Sequence, residues 1–174
     1  MKLKDLVEIK RGSSPRPIID YLSDKGYKWL KISDFNLGDK YISETRQFIK
    51  ESGLKGTKLV KKGTLVLTNS ATPGIPIFLD ADMCLHDGFL YFKNLCYEEL
   101  NMEYLYCWLL NNQKNIVNQA NGSVFKNLKK EIVENLDIEL PNFYNQNKIV
   151  KIYNTINDKI IENTATNNNL LLIV

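Results

Sequence analysis

The segment after Pro141 constrains this chain most. Asn142 is a side chain suited to capping a helix, and from Phe143 to Val174 no proline or glycine interrupts a helical pattern. Ile149, Tyr153, Ile156 and Ile160 follow 4-3-4 spacing, with Ile152 beside them, and the register continues through Asn163, Asn167, Leu170 and Val174. A helix of roughly 30 residues reaches about 45 Å, which is too long to lie wholly on one small domain. The spacing therefore predicts a seam that pairs with another helix, in which asparagines weaken the contact while fixing register and orientation. The competing reading is an amphipathic helix folded back on its own domain.

What precedes Pro141 reads as one globular unit. A chain of 174 residues with 44% hydrophobic content can bury one core, which divides it into a domain at 1–141 and a helix at 142–174. Leu3, Leu6, Val7 and Ile9 form a short apolar face, followed by a loop through Arg11, Gly12, Pro15, Arg16 and Pro17. The two arginines suit phosphate contact or a solvated loop equally well. Tyr27–Ile32 has strand character and ends in the turn formers Ser33 and Asp34. After a polar, poorly periodic region, Lys50, Lys55, Lys58, Lys61 and Lys62 form a basic stretch that lacks the spacing of a phosphate loop. A strand from Gly63 turns through Ser70, Thr72 and Gly74 into a second at Ile75–Leu79.

Met83–Phe92 alternates as one or two further strands, with His86-Asp87-Gly88 as a polar interruption. Asn101 is placed to cap a helix carrying Leu105, Trp108 and Leu109 on one face, with a break expected at Asn111-Asn112 before a second segment to Ala120. A short basic helical segment, Asn127–Leu136, and a strand, Asp137–Leu140, complete the unit. The expected class is α+β: a β-rich domain with short helices, then a long C-terminal helix in a coiled-coil-like pair.

The chemistry of catalysis is missing. There is no HExxH, CxxC, GxSxG or GxGxxG motif, and the single histidine, His86, cannot build a histidine-rich metal site. Pro141-Asn142-Phe143-Tyr144 lacks the residue order of an adenine-methyltransferase motif. No catalytic residue, metal or cofactor is therefore expected. Cys84, Cys96 and Cys107 fit neither a zinc set nor a disulfide framework and read as reduced thiols of a cytoplasmic protein. No signal-like apolar run opens the chain, and no stretch of about 18 apolar residues appears. The net charge of +3 permits nucleic-acid binding without demanding it.

Several stretches taken in order carry a family resemblance: Leu3-Lys4-Asp5-Leu6-Val7-Glu8-Ile9 leading to Gly12 and Pro15; Leu30-Lys31-Ile32-Ser33-Asp34; and Gly63-Thr64-Leu65-Val66-Leu67 with the turn to Gly74. Gly122-Ser123-Val124-Phe125-Lys126-Asn127-Leu128 follows, then Leu136, Ile138, Leu140-Pro141, Gln146, Ile149 and Val150. The chain resembles the specificity subunit of type I restriction-modification systems. The resemblance implies a non-catalytic DNA reader in which a target-recognition domain contacts one half of a split site. A spacer helix pairs with another, and methyltransferase and restriction subunits assemble on the pair. Only one domain and one spacer are present, so the chain resembles half a subunit.

For phosphate contacts, lysines and a small hydroxyl turn point to Lys31, Lys58, Ser123, Lys126 and Lys129. For base edges, amide and hydroxyl chemistry points to Asn69, Ser70 and Thr72, with His86 and Asp87 behind them. Ile149, Ile152, Tyr153, Ile156 and Ile160 form the expected helix-pairing interface, through which two copies could also associate. The alternatives are the recognition end of a fused methyltransferase-nuclease and an assembly protein that never touches DNA.

Overall fold

The computed structural model describes residues 1–36, 38–93, 98–120 and 127–171. Its organising element is a five-stranded sheet with both faces covered. In chain order along its length lie β1 (Glu8–Arg11), β4 (Tyr41–Ile42), β7 (Leu65–Thr68), β8 (Pro76–Leu79) and β10 (Phe89–Lys93). Their spatial order is β1-β10-β7-β8-β4, antiparallel except where β4 joins β8 in parallel. A second sheet has the order β2-β5-β3-β9-β6, from β2 (Leu22–Ser23), β3 (Tyr27–Leu30), β5 (Phe48–Ile49), β6 (Leu59–Val60) and β9 (Met83–Leu85). Within it β3 and β9 run parallel.

Alternation along the central strands explains the layers. Leu65 and Leu67 of β7, Phe78 of β8 and Leu90 and Phe92 of β10 belong to a core shared with the helices. Val66, Ile77, Leu79, Phe89 and Tyr91, on the opposite face, pack with Leu30, Val60, Met83 and Leu85 of the second sheet. These strands read as continuous apolar runs because both faces are buried.

The helical layer contains α1 (Met102–Ala120), α2 (Lys130–Glu134) and α3 (Phe143–Leu171). Asn101 caps α1 as expected, its Oδ1 accepting from the Glu103 and Tyr104 amides at 2.8 and 3.4 Å. The expected break at Asn111-Asn112 does not occur. The Asn112 side chain donates to the Trp108 carbonyl at 2.9 Å instead of competing for the helix, and Ile116 is buried one turn later. The strand expected at Asp137–Leu140 is also absent. Only a single bridge joins Lys2 to Asp137, with Leu3 donating to Leu136 and Ile138 to the Met1 carbonyl. The basic helical segment expected at Asn127–Leu136 shortens to α2.

Asn142 caps α3 through the Asn145 amide at 2.9 Å. One turn later, fully buried Gln146 forms a joint. Its Nε2 donates to the carbonyls of Glu99 and Pro141 at 2.7 and 2.8 Å, and its Oε1 accepts from the Asn101 amide at 2.9 Å. Farther along, Val150 and Tyr153 pack on the helical core, and Tyr153 meets Tyr106 of α1 edge-on at 5.7 Å.

Lys40 completes this docking. Its side chain is 8% exposed, with Nζ bonded to Glu103 of α1 and to Asn154 of α3 at 2.8 Å. Four rings, Tyr41, Phe78, Tyr106 and Tyr153, surround the ammonium at 5.4–6.0 Å. Beyond this point α3 leaves the domain. Ile149, Ile152, Ile156 and Ile160 are 40–62% exposed and form one stripe, and Ile161, 59% exposed, lies toward the Asn157 side. Tyr153, expected on the seam, is turned inward toward Tyr106, and Ile152 takes its place on the open stripe. Asn154 and Asn157 share the inward side. Among the described residues no helix is long and apolar enough to cross a membrane.

Candidate nucleic-acid interface

Three loops meet at one end of the central sheet. The chain leaving β1 tucks beneath the β9–β10 turn: Gly12 donates to Phe89 O at 2.9 Å and Ser13 to Leu85 O at 3.1 Å. The end of β7 clips to that turn, Asn69 donating to Gly88 O at 2.8 Å, and to the approach to α2, Leu128 donating to Asn69 O at 2.7 Å. These bonds bring Arg11, Asn69, Asn127, Leu128, Lys129 and Lys130 together, with the carboxylate of Glu131, around a cleft of about 330 Å³. Arg11 and Lys130 also border a wider groove of about 710 Å³, shared with Lys4, Lys10 and Lys58 and with the carboxylates of Asp5, Glu8 and Glu134. Glu134 is paired with Lys130.

Beside the cleft, Asp87 is the hub of a polar cluster. Its Oδ1 accepts from Ser14 Oγ at 3.1 Å and lies 3.0 Å from His86 Nε2, while Arg16 lies 3.6 Å from Oδ2. Arg11 Nε donates to the Asp87 carbonyl at 2.8 Å. Burial lowers the His86 pKa; Asp87 opposes that shift, and the nearby cations Arg16, Lys31 and Arg11 reinforce it. His86 is accordingly neutral at pH 7, with Nδ1 accepting from the Gly88 amide at 2.9 Å and Nε2 lying 3.0 Å from Asp87 Oδ1.

The sequence-predicted residues sort unevenly over this geometry. Asn69, Ser70, His86, Lys31 and Lys129 come to the converging loops, and Lys58 borders the adjoining groove. Asn69 is only 4% exposed, yet it lines the cleft and its Oδ1 has no hydrogen-bond partner among the described residues. Lys31 Nζ is held by Gln47 at 2.7 Å. Thr72 goes elsewhere: its carbonyl accepts from Thr68 Oγ1, and it lines a hollow with Gln113, Lys114 and Val117 of α1. Ser123 and Lys126 lie outside the described residues.

The basic stretch at 50–62 is broken up. Lys61 and Lys62 pair with Asp82 and Asp80 at 2.7 Å, and Lys50 donates to the Asp20 carbonyl. Lys130 was missed by sequence reasoning, and only its position beside Lys129 at the head of α2 could have drawn attention to it. The thiols of Cys84 and Cys107 are pushed up to about 11 by burial, which keeps them protonated. Cys96 lies outside the described residues. Among the described residues no group of three His, Cys, Asp or Glu side chains could hold a metal ion.

Comparison with known proteins decides the family. The model of the type I restriction modification DNA specificity domain matches residues 1–172. The chain belongs to that family. The MjaIX specificity subunit of a type I restriction enzyme from Methanocaldococcus jannaschii is 27% identical to this specificity domain over 176 residues, covering 98% of the domain and 40% of that protein.

Among solved structures, one from work on complex assembly and conformational transition of the type I R-M system superposes with a TM-score of 0.73 at 19% identity. The HsdS subunit from Thermoanaerobacter tengcongensis gives 0.68 at 17%, and the S subunit from M. genitalium gives 0.64 at 20%. Each covers 95% of the specificity domain, and at these identities they show a shared fold. The specificity domain spans between 38% and 40% of the length of these relatives.

Proposed function

We propose that this chain is the non-catalytic, DNA-reading part of a type I restriction-modification specificity subunit, contacting one half of a bipartite site. The observation that carries the proposal is the convergence of Arg11, Asn69, Asn127, Lys129 and Lys130 on one cleft, with Arg16 and Lys31 close by. Flexible cations at the rim suit phosphate oxygens, which supply salt-sensitive affinity. Amides at the cleft suit base edges: Asn127 is exposed there, and Asn69 carries an unpaired acceptor, Oδ1, just beneath the surface. Ser70 accompanies Asn69 in that role, and Ser123 and Lys126, outside the described residues, are proposed as further phosphate contacts.

Titration with a pool of random-sequence duplexes over a salt series tests the interface. Lys129→Ala is expected to weaken binding to all duplexes alike and to flatten the salt dependence by about one unit of slope. An unchanged slope removes Lys129 from the interface. Absence of binding by the unaltered protein, even at low salt, removes the DNA-reading proposal itself.

The remaining partners follow from α3. Its open stripe of Ile149, Ile152, Ile156 and Ile160 is the surface of a spacer helix that pairs antiparallel with a second one, on which methyltransferase and restriction subunits dock. In a two-fold self-pair, two copies would read identical half-sites in opposite orientation. Light scattering on the unaltered chain is expected to give twice the monomer mass at high concentration, and Ile156→Lys is expected to return the monomer mass. A monomer at every concentration eliminates self-pairing and leaves docking on a different subunit's helix.

A further inference from the structure

We infer that Asp87 is a positioning residue for two DNA-contacting arginines, an inference that rests on the DNA-reading proposal above. The side chains around it come from two loops, and each has a defined attachment. Ser14 Oγ fixes the carboxylate by donating to Oδ1 at 3.1 Å, and His86 Nε2 lies 3.0 Å from the same oxygen. With Nδ1 taken by the Gly88 amide and Nε2 turned against Asp87 Oδ1, the neutral His86 ring packs beside the carboxylate instead of reading a base.

The carboxylate then draws in Arg16, whose side chain is otherwise 72% exposed. The backbone carbonyl of the same residue takes Arg11 through Nε alone. That attachment leaves the two terminal nitrogens of the exposed Arg11 guanidinium without a protein partner among the described residues. An arginine held by Nε presents the fork of its terminal nitrogens, the geometry that grips a phosphate through two parallel bonds. The loops approach each other closely at Gly12, where a Cβ would lie 2.3 Å from His86 O.

This role makes a prediction opposite in sign to simple electrostatics. Removing a negative charge from a basic DNA-facing surface should strengthen binding by Coulomb's law alone. If Asp87 positions the arginines, Asp87→Asn instead weakens binding, because the neutral amide holds Arg16 less well and loosens the turn whose carbonyl holds Arg11. The probe is the same pool of random-sequence duplexes, since phosphate contacts are independent of sequence. Loss of one contact at about 0.15 M salt is expected to reduce affinity about fivefold and to flatten the salt slope by about one unit.

A cycle with Arg16→Ala separates positioning from general damage. Arg16→Ala in the Asp87→Asn background is expected to add little beyond either single change. Thermal melting of each variant verifies that it is folded at the binding temperature, and Ser14→Ala, which loosens the brace while keeping every charge, is expected to give a smaller loss in the same direction. Unchanged or tighter binding by Asp87→Asn overturns the inference, as do fully additive losses in the cycle. Both outcomes leave the DNA-reading proposal standing, whereas failure of the unaltered protein to bind any duplex removes the two together.

Discussion

Truncating Lys40 to alanine is expected to cost about 3 kcal/mol of unfolding free energy, the lower end for breaking a buried ion pair. The lower end applies because Glu103 keeps about a third of its side chain in water, at 31% exposure. Besides the ion pair, the change removes a stem packed among four aromatic rings and the bond to Asn154. Urea denaturation measures the loss. Removing both charges in Lys40→Met with Glu103→Gln should recover most of it, since a buried pair replaced by well-packed neutral groups is often neutral in stability. Failure of the double variant to recover would show that the bond to Asn154, and not the ion pair, holds α3.

The pH dependence of this contribution has a definite sign. Burial lowers the Lys40 pKa, but the hydrogen bond and charge of Glu103 outweigh it and leave the value above that of an ordinary lysine. A raised folded-state value stabilises fully below the unfolded value of about 10.4 and is lost as pH rises through the folded one. The stability difference between the native chain and Lys40→Met should therefore be flat from about pH 6 to 9 and shrink only above about 10.5.

Gly12→Ala is expected to destabilise by about 3 kcal/mol, the upper end for forced overpacking. The new Cβ would meet the His86 and Leu85 carbonyl oxygens at 2.3 and 2.8 Å, and these backbone atoms are fixed by β9 and its turn. For a chain of this size the loss corresponds to a fall in Tm of about 6–12 °C. On the DNA-reading proposal, DNA affinity should fall too, because Arg11 and Arg16 flank the displaced segment. A variant with the native Tm would mean that the exit from β1 can move aside at no cost.

Legibility in the sequence followed the range over which each signal acts. The strands at Leu65–Thr68 and Pro76–Leu79, the Asn101 cap and the start of α3 are set by residues within a few positions of one another, and each was readable. Two-residue strands such as Leu22–Ser23, Tyr41–Ile42 and Leu59–Val60 carry no periodicity, and the parallel pairs β3 with β9 and β4 with β8 join segments far apart in the chain. The break expected at Asn111-Asn112 rested on propensity, which packing of Ile116 overrides.

Tyr153 and Ile152 illustrate a different limit. Adjacent positions on a helix differ by a fraction of a turn, so spacing alone could not decide which faces outward. At the interface, Asn69 and Lys129 were named from side-chain chemistry, but their meeting depends on bonds between Asn69 and both Gly88 and Leu128. Lys40, from a stretch without pattern, gave no hint of its burial.

The joint at Gln146 has a mechanical consequence. Two hydrogen bonds of Gln146 anchor the first turn of α3 to the start of α1 and a third ties it to Pro141, while Tyr153 and Lys40 hold the helix farther along, so it behaves as a lever clamped inside the domain. The part of α3 beyond Asn157 makes a free arm of about 21 Å. A tilt of about 5° at its base would swing the tip by only about 2 Å. Two separated clamps, the buried amide of Gln146 and the buried ammonium of Lys40, thus set the pointing accuracy of the arm.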